Sequence, residues 1–267
     1  MVASGNDFVV VERSQNPAIN SPRILARRIC DRKFGVGADG LLLLEKSKIA
    51  NVKMRIFNPD GSEAEMCGNG ARCTALYISR YRMIASQKNL LKLQTIAGVI
   101  EARVSRNSAR IKLTDPKDIK LGIPIKINNR RLKIDFINTG VPHTVIFVEG
   151  LNKIDVANLG RQIRYHKSFS PNGANVDFVE VLNNNSTKVR TYERGVEDET
   201  LACGTGAVAA ALILATRYSL FAIRRVNVYT KGGEILKVYF EKIKNKFTDV
   251  WLEGKAKIVY KGEYYVK

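Results

Sequence analysis

Two segments of this chain each set a thiol at the start of a glycine-rich turn: Met66-Cys67-Gly68-Asn69-Gly70-Ala71 and Ala202-Cys203-Gly204-Thr205-Gly206-Ala207. Each leads into an apolar run, and the cysteines lie 136 positions apart (203 − 67) in a chain of 267 residues. A free thiol has a pKa of about 8.5 and is a weak base at neutral pH. The unpaired amides at a helix N-terminus favour the thiolate, and glycines let that backbone come close to a bound carboxylate. A thiolate that removes an α-proton, with a thiol that returns one to the opposite face, would invert a stereocentre without a cofactor.

The elements that must position these groups repeat along the chain. Gly37-Ala38-Asp39 corresponds to Gly173-Ala174-Asn175, at the same offset as the cysteines. Gly5 before Phe8 to Glu12 corresponds to Gly140 before Val145 to Glu149, Thr95-Ile96-Ala97-Gly98 to Thr230-Lys231-Gly232-Gly233, and Arg80-Tyr81 to Arg217-Tyr218. Five correspondences in one order imply a duplication. Each half opens with a strand and continues with a short helix, around Pro22 to Asp31 and Val156 to Arg164. Strands such as Val52 to Phe57 and Lys188 to Tyr192 follow. The cysteine turn then starts a helix, Gly70 to Met83 and Gly206 to Tyr218, apolar almost all round and therefore buried. Leu90 to Gln94, Gly98 to Val104, Ala109 to Leu113, Arg225 to Tyr229 and Leu236 to Phe240 have strand character. The expected class is α+β: two pseudo-symmetric domains, each a mostly antiparallel, barrel-like sheet wrapped around a central helix, with the active site in the cleft between them. The expected boundaries are 1–115 plus 256–267, and 116–255.

Composition narrows the alternatives. With 45% hydrophobic residues the chain can bury its own core without metals or disulfides. No stretch approaches the ~20 apolar residues of a membrane span, and Phe8 to Val11 is too short for a signal peptide. A soluble, cytoplasmic protein is expected. Cys30, Cys67, Cys73 and Cys203 do not form a disulfide framework, and with two histidines and no Cys-x-x-Cys pair no metal site is expected. The net charge of +19 raises nucleic-acid binding as a rival. The basic residues are scattered, however, with short clusters at Arg27-Arg28, Arg130-Arg131 and Arg224-Arg225, the pattern of a solvated surface.

Seven motifs resemble those of the diaminopimelate epimerase family, in family order over essentially the whole chain. In the first half they are Gly5-Asn6-Asp7-Phe8, Phe34-Gly35-Val36-Gly37-Ala38-Asp39-Gly40, and Phe57-Asn58-Pro59-Asp60-Gly61-Ser62 to Cys67-Gly68-Asn69-Gly70. In the second they are Gly140-Val141-Pro142-His143, Asn175-Val176, Glu193-Arg194-Gly195 and Glu199 to Gly206. The resemblance implies a cofactor-independent enzyme interconverting LL- and meso-diaminopimelate, on the route to lysine and peptidoglycan. It implies a small-molecule substrate, with no nucleic acid or membrane as partner and with room for a homodimer. It makes Cys67 and Cys203 the acid/base pair, and sets His143 and Glu193 near the reacting amino group. Asn6, Asn58, Asn175 and Arg194 fall on substrate-binding positions, and the amides at Gly68-Asn69 and Gly204-Thr205 on those that hold the carboxylate. The chain departs from the family at Gly40, where many members have glutamine, and at Val141, where many have asparagine. The Glu193 to Cys203 spacing is one residue longer than the family pattern. Members usually carry more of the first strand, so a start upstream of Met1 is expected.

Other readings of the same residues remain. A lone cysteine is usually core, which is the reading for Cys30 and Cys73, neither of which has a counterpart in the other half. Asn58 before Pro59-Asp60-Gly61 also suits a turn, and His166 a surface loop. Gly35-x-Gly37 is half of a dinucleotide fingerprint with no further glycine, and is dismissed. A proline-racemase-like enzyme of the same two-thiol superfamily is the nearer functional rival, and would not need Asn58, Asn175 and Arg194 for a second carboxylate and ammonium.

Overall fold

A computed structural model describes residues 1–15, 19–81, 90–128, 130–218, 224–244 and 246–265. The chain divides into two compact units, Met1–Lys112 with Gly254–Lys267, and Leu113–Glu253.

In the first unit the strands are β1 (Val2–Ala3), β2 (Asn6–Glu12), β3 (Gly40–Glu45), β4 (Val52–Phe57), β5 (Glu63–Ala64), β6 (Leu90–Thr95), β7 (Gly98–Ser105) and β8 (Ser108–Lys112). Helix α1 (Pro22–Ile29) precedes β3 and α2 (Gly68–Tyr81) follows β5. Ser21 caps α1, its hydroxyl accepting from the Ile24 amide, with Pro22 in the first turn where no donor is needed. Strands β2 and β3 run parallel, as do β4 and β6; β3–β4, β4–β5, β6–β7 and β7–β8 are antiparallel. Leu41 to Leu44 are all fully buried, because both faces of β3 are covered. Leu41 and Leu43 pack on Leu25, Ala26 and Ile29 of α1. Leu42, pointing the other way, lies under the first turn of α2 at Gly70.

The second unit contains β9 (Lys117–Ile127), β10 (Arg130–Asn138), β11 (Pro142–Phe147), β12 (Asn175–Asn183), β13 (Ser186–Glu193), β14 (Asp198–Thr200), β15 (Arg225–Tyr229), β16 (Ile235–Ile243) and most of β17 (Lys246–Lys255). Its helices are α3 (Val156–Arg164), capped by Asp155, and α4 (Gly204–Arg217), capped by Cys203. Pairing repeats the first unit step for step. Strands β11 and β12 run parallel, as do β13 and β15, while β12–β13, β13–β14, β15–β16 and β16–β17 are antiparallel. The register repeats as well. Leu41 faces Phe57 as Val176 faces Tyr192, and Val52 faces Leu93 as Thr187 faces Val228, each residue 135 positions on. Helix α4 is buried from Gly206 to Ala215 and packs on β10 to β13, β15 and β16, while α2 packs on β1, β2, β4, β6, β7 and β8. The class is α+β, with a central helix enclosed by sheet in each unit.

Several expectations shift. The helices after the cysteines begin at Gly68 and Gly204, two residues earlier than expected. The expected end at Met83 lies outside the described residues. The sequence reading leaves β9 and β10 unassigned, because Gly122 and Pro124 interrupt an otherwise alternating stretch. Ile125, Ile127 and Ile134 from this hairpin are nonetheless buried against Val156, Ile163 and Phe178. His166 lies in a loop as expected but is half-buried, capping the 3-10 turn that follows, its Nδ1 accepting from the Ser168 amide.

Candidate active site

Each cysteine takes the same position at the head of its helix. The Gly70 amide points at Cys67 Sγ at 3.5 Å, and the Gly206 amide donates to Cys203 Sγ at 3.4 Å. Both helix heads leave further amides unpaired. The glycine at the third position of α4 is required by the carboxylate beneath it, while its counterpart in α2 stands in tight contact with a leucine. A Cβ on Gly70 would meet Leu42 Cδ2 at 3.0 Å, and one on Gly206 would meet Asp177 Oδ1 at 2.4 Å. Asp177 occupies in the second unit the place that Leu42 holds in the first.

In the second unit the residues anticipated from sequence converge around that carboxylate. His143, fully buried on β11, makes a 2.7 Å contact from Nδ1 to Asp177 Oδ2. Thr191 Oγ1 donates to Asp177 Oδ1 at 2.8 Å. On its other side His143 Nε2 lies 2.9 Å from Thr205 Oγ1, which in turn lies 3.4 Å from Cys203 Sγ. Asn175 Nδ2 donates to the Pro142 carbonyl and approaches His143 Nε2 at 3.3 Å, while Asn175 Oδ1 accepts from the Arg194 amide at 2.7 Å. Cys203, His143, Asn175 and Thr205 thus form one hydrogen-bonded group, joined to Arg194 through its backbone. The Arg194 guanidinium reaches the Asn172 carbonyl at 3.4 Å. Glu193, half-buried at the end of β13, is raised from the usual carboxylate value by burial first and by the Asp177 carboxylate, while the nearby Thr200 and the field of His143 pull the other way.

The electrostatics of Cys203 differ from the sequence expectation. Burial drives its thiol far above the ordinary range, and the Glu193 and Asp177 carboxylates push the same way. Hydrogen bonds from Thr205 and the Gly206 amide pull down without offsetting them. A helix terminus stabilises a thiolate only where enough of the remaining field agrees, and here desolvation wins. Cys203 rests as a thiol. Cys67 is half-buried, and Cys30 and Cys73 are buried in the core of the first unit.

Around Cys67 the first unit builds a different group. Asn69, at the head of α2, donates from Nδ2 to Asn6 Oδ1 and accepts from Arg72 Nη2 at 2.6 Å. Arg72 is fully buried and also donates to Ser4 Oγ. Asn6 Nδ2 donates to Asp39 Oδ2 at 3.2 Å, and Arg32 ties Asp39 to Asp7 with contacts of 2.8 Å to each. Asn6 and Asn69 are thus brought together, whereas Asn58 stands apart, donating to Ser62 Oγ and closing the turn of residues 58–62. A Cβ at Gly40 would lie 3.0 Å from the Phe57 carbonyl oxygen, a contact that the backbone would have to relieve by a few tenths of an ångström. Gly35 is a packing glycine whose Cβ would strike the Arg28 carbonyl at the end of α1.

Sequence reading missed Asp177, Thr191 and Arg72. A carboxylate inside the apolar run Val176 to Val181, two residues from Asn175 and so on its face of the strand, was the available signal for the first. Among the described residues no cluster of three or more His, Cys, Asp or Glu could hold a metal, and no helix is long and apolar enough to cross a membrane.

Known proteins resemble the chain throughout its length. Its sequence matches the family described as diaminopimelate epimerase over residues 1–117 and 136–259. It is 40% identical over 275 residues to the diaminopimelate epimerase of Methanocella arvoryzae, covering 98% of this chain and 94% of that one. The Aquifex aeolicus enzyme of the same name is also 40% identical, over 97% of this chain and 94% of that one. In fold the chain resembles a phenazine biosynthesis protein of the PhzF family from Bacillus anthracis, with TM-score 0.71 and 18% identity over 96% of this chain and 92% of that one. A hydroxyproline epimerase from Agrobacterium vitis superposes with TM-score 0.64 and 16% identity, over 95% and 86%. The chain belongs to the diaminopimelate epimerase family.

Proposed function

We propose that this protein epimerises LL-2,6-diaminopimelate to the meso form without a cofactor, with Cys67 and Cys203 as base and acid. The observation that carries the reading is the equivalence of the two thiols, each receiving the third amide of its helix, in a chain 40% identical to diaminopimelate epimerases over nearly its whole length. In one direction the Cys67 thiolate takes the α-proton: the C–H bond breaks, an S–H bond forms, and the electron pair passes into the carboxylate-stabilised carbanion. Cys203, resting as a thiol, gives its proton to the opposite face. The thiols finish with their protonation states exchanged, and the opposite reaction runs from there.

The remaining groups lower the barrier by preorganisation. The amides at Gly68-Asn69 and Gly204-Thr205 serve the carboxylate beside the reacting carbon, where charge develops in the transition state. Glu193 and His143 stand near the adjacent ammonium, with Glu193 as its acceptor. Asn6, Asn58, Asn175 and Arg194 take the distal carboxylate and ammonium, and Arg194 supplies the planar fork suited to a carboxylate. The substrate is a small molecule, and a cytoplasmic homodimer is the expected setting.

The test is exchange of the α-proton of LL-diaminopimelate in heavy water by the purified protein, with proline and a monocarboxylic amino acid as controls. Deuterium incorporation with inversion, confined to diaminopimelate, is the expected result. Equal or greater exchange with the monocarboxylic substrates would assign the chain a different racemase activity.

A further inference from the structure

The proton that Cys203 must lose when it acts as base has a route on the page. We propose that Asp177 is a positioning residue that holds His143 with its proton on Nδ1, leaving Nε2 to receive the Cys203 proton through the Thr205 hydroxyl. The inference rests on the reading of Cys203 as an acid/base thiol. Asp177 and His143 are both fully buried, and a carboxylate held there needs donors for its oxygens. The Thr191 hydroxyl serves Oδ1 and His143 Nδ1 serves Oδ2. With the imidazole proton engaged at Nδ1, Nε2 becomes an acceptor, and the groups beside it are donors: Thr205 Oγ1 at 2.9 Å and the Asn175 amide at 3.3 Å. The Thr205 oxygen then has lone pairs free to accept from the Cys203 thiol.

The transfer balances within these groups. The Cys203 S–H bond breaks as an O–H bond forms at Thr205, whose own O–H breaks as an N–H forms at His143 Nε2. Thiol and imidazole become thiolate and imidazolium, with no change in net charge, and the imidazolium lies against Asp177. The charged or titratable groups facing His143 are Asp177 from β12, Glu193 from β13 and Cys203 from the head of α4, while β10 places apolar Ile137 opposite it. The positions in the first unit equivalent to His143, Asp177, Thr191 and Thr205 are Phe8, Leu42, Ile56 and Asn69. The relay serves Cys203, the thiol that burial keeps protonated.

The chain contains two histidines, so nitrogen-15 histidine NMR reads His143 with His166 as an internal reference. Wild type is expected to carry the His143 proton on Nδ1, with Nε2 as acceptor. Asp177→Asn should move His143 toward the Nε2–H tautomer, since the amide can offer Nδ1 a donor in place of the carboxylate acceptor. Its kcat should fall about a hundredfold to ten-thousandfold with little change in KM, the range of a general-base contribution. Thr205→Val should lower kcat similarly, and Thr205→Ser should restore it. A wild-type His143 with its proton on Nε2, or an Asp177→Asn protein with an unchanged His143 tautomer, would overturn the proposal. If Asp177→Asn does not fold, the wild-type tautomer and the Thr205 pair still decide. The NMR arm needs no substrate. A wild type inert toward diaminopimelate but holding His143 as Nδ1–H would sink the reaction assignment and leave Asp177's hold on His143 standing.

Discussion

Replacing Cys203 by serine should make the second unit relatively more resistant to alkali. The thiol sits at the N-cap of α4, 5% exposed, where burial and two carboxylates keep its proton bound far above the ordinary thiol value. The sign follows from proton counting. In the unfolded chain the thiol loses its proton above about pH 8.5 and in the folded chain it does not, so the folded state binds more protons and stability falls as pH rises. The slope is about 1.4 kcal/mol per pH unit, so from about pH 8.5 to about pH 10.5 this one group removes roughly 2.5 kcal/mol. Serine keeps a side-chain acceptor for the Gly206 amide but does not ionise, and it is a better N-cap than cysteine. Cys30, pushed up to about 11 mainly by burial, titrates in the same window but is common to both proteins and cancels in the difference. Trp251, the single tryptophan, is buried in β17 of the second unit and reports its unfolding by fluorescence. Urea titrations of wild type and Cys203→Ser across this range should give stability differences that diverge in favour of serine with rising pH. Parallel curves would mean that the folded thiol ionises normally and that helix-terminus stabilisation outweighs burial after all.

Three further outcomes are expected. Cys67→Ala and Cys203→Ala should each abolish epimerisation while Cys30→Ala and Cys73→Ala keep it; near wild-type inversion by either of the first two would refute the two-base mechanism. Arg194→Lys should reduce kcat/KM for diaminopimelate by about 1.5–3 kcal/mol in transition-state terms, the scale of a hydrogen bond to a charged group, while both active thiols still react with a thiol reagent; unchanged kcat/KM would remove Arg194 from the distal site. Asp135, 1% exposed, accepts from both Arg217 Nε and Nη2 and from the Gly122 amide, so Arg217→Ala should destabilise the second unit by about 3–5 kcal/mol by stranding a buried carboxylate, and a loss below about 1 kcal/mol by denaturant titration would count against that.

What was legible in the sequence was what repeats. The cysteine turns, the small-residue helices after them and strands such as Val52–Phe57 and Arg225–Tyr229 are visible because burial imposes a local pattern that recurs in the other half. The β9–β10 hairpin was not, since its lysines and arginines dominate the pattern and the isoleucines find their partners on α3 and β12. The relative standing of helix terminus and desolvation at Cys203 was equally hidden. The glycine-rich turn is local, while the Glu193 and Asp177 carboxylates and the depth of burial come from elsewhere in the chain.

The difference between the halves is where the repeat ceases to explain and chemistry begins. A glycine stands three residues after the thiol in both units, but over Leu42 in one and over Asp177 in the other. Exchanging a buried leucine for a carboxylate is costly on its own, because an unpaired charge in that setting loses its hydration with nothing in return. It becomes tolerable once His143 stands where Phe8 does and Thr191 where Ile56 does, since each brings a donor to one carboxylate oxygen. The three polar residues are thus mutually dependent, and no one of them fits the apolar frame of the other unit alone. A pattern read strand by strand registers Asp177 as a blemish in Val176 to Val181. Taken with the partners that β11 and β13 bring to it, the same carboxylate anchors the hydrogen-bonded group that reaches Cys203 through His143 and Thr205.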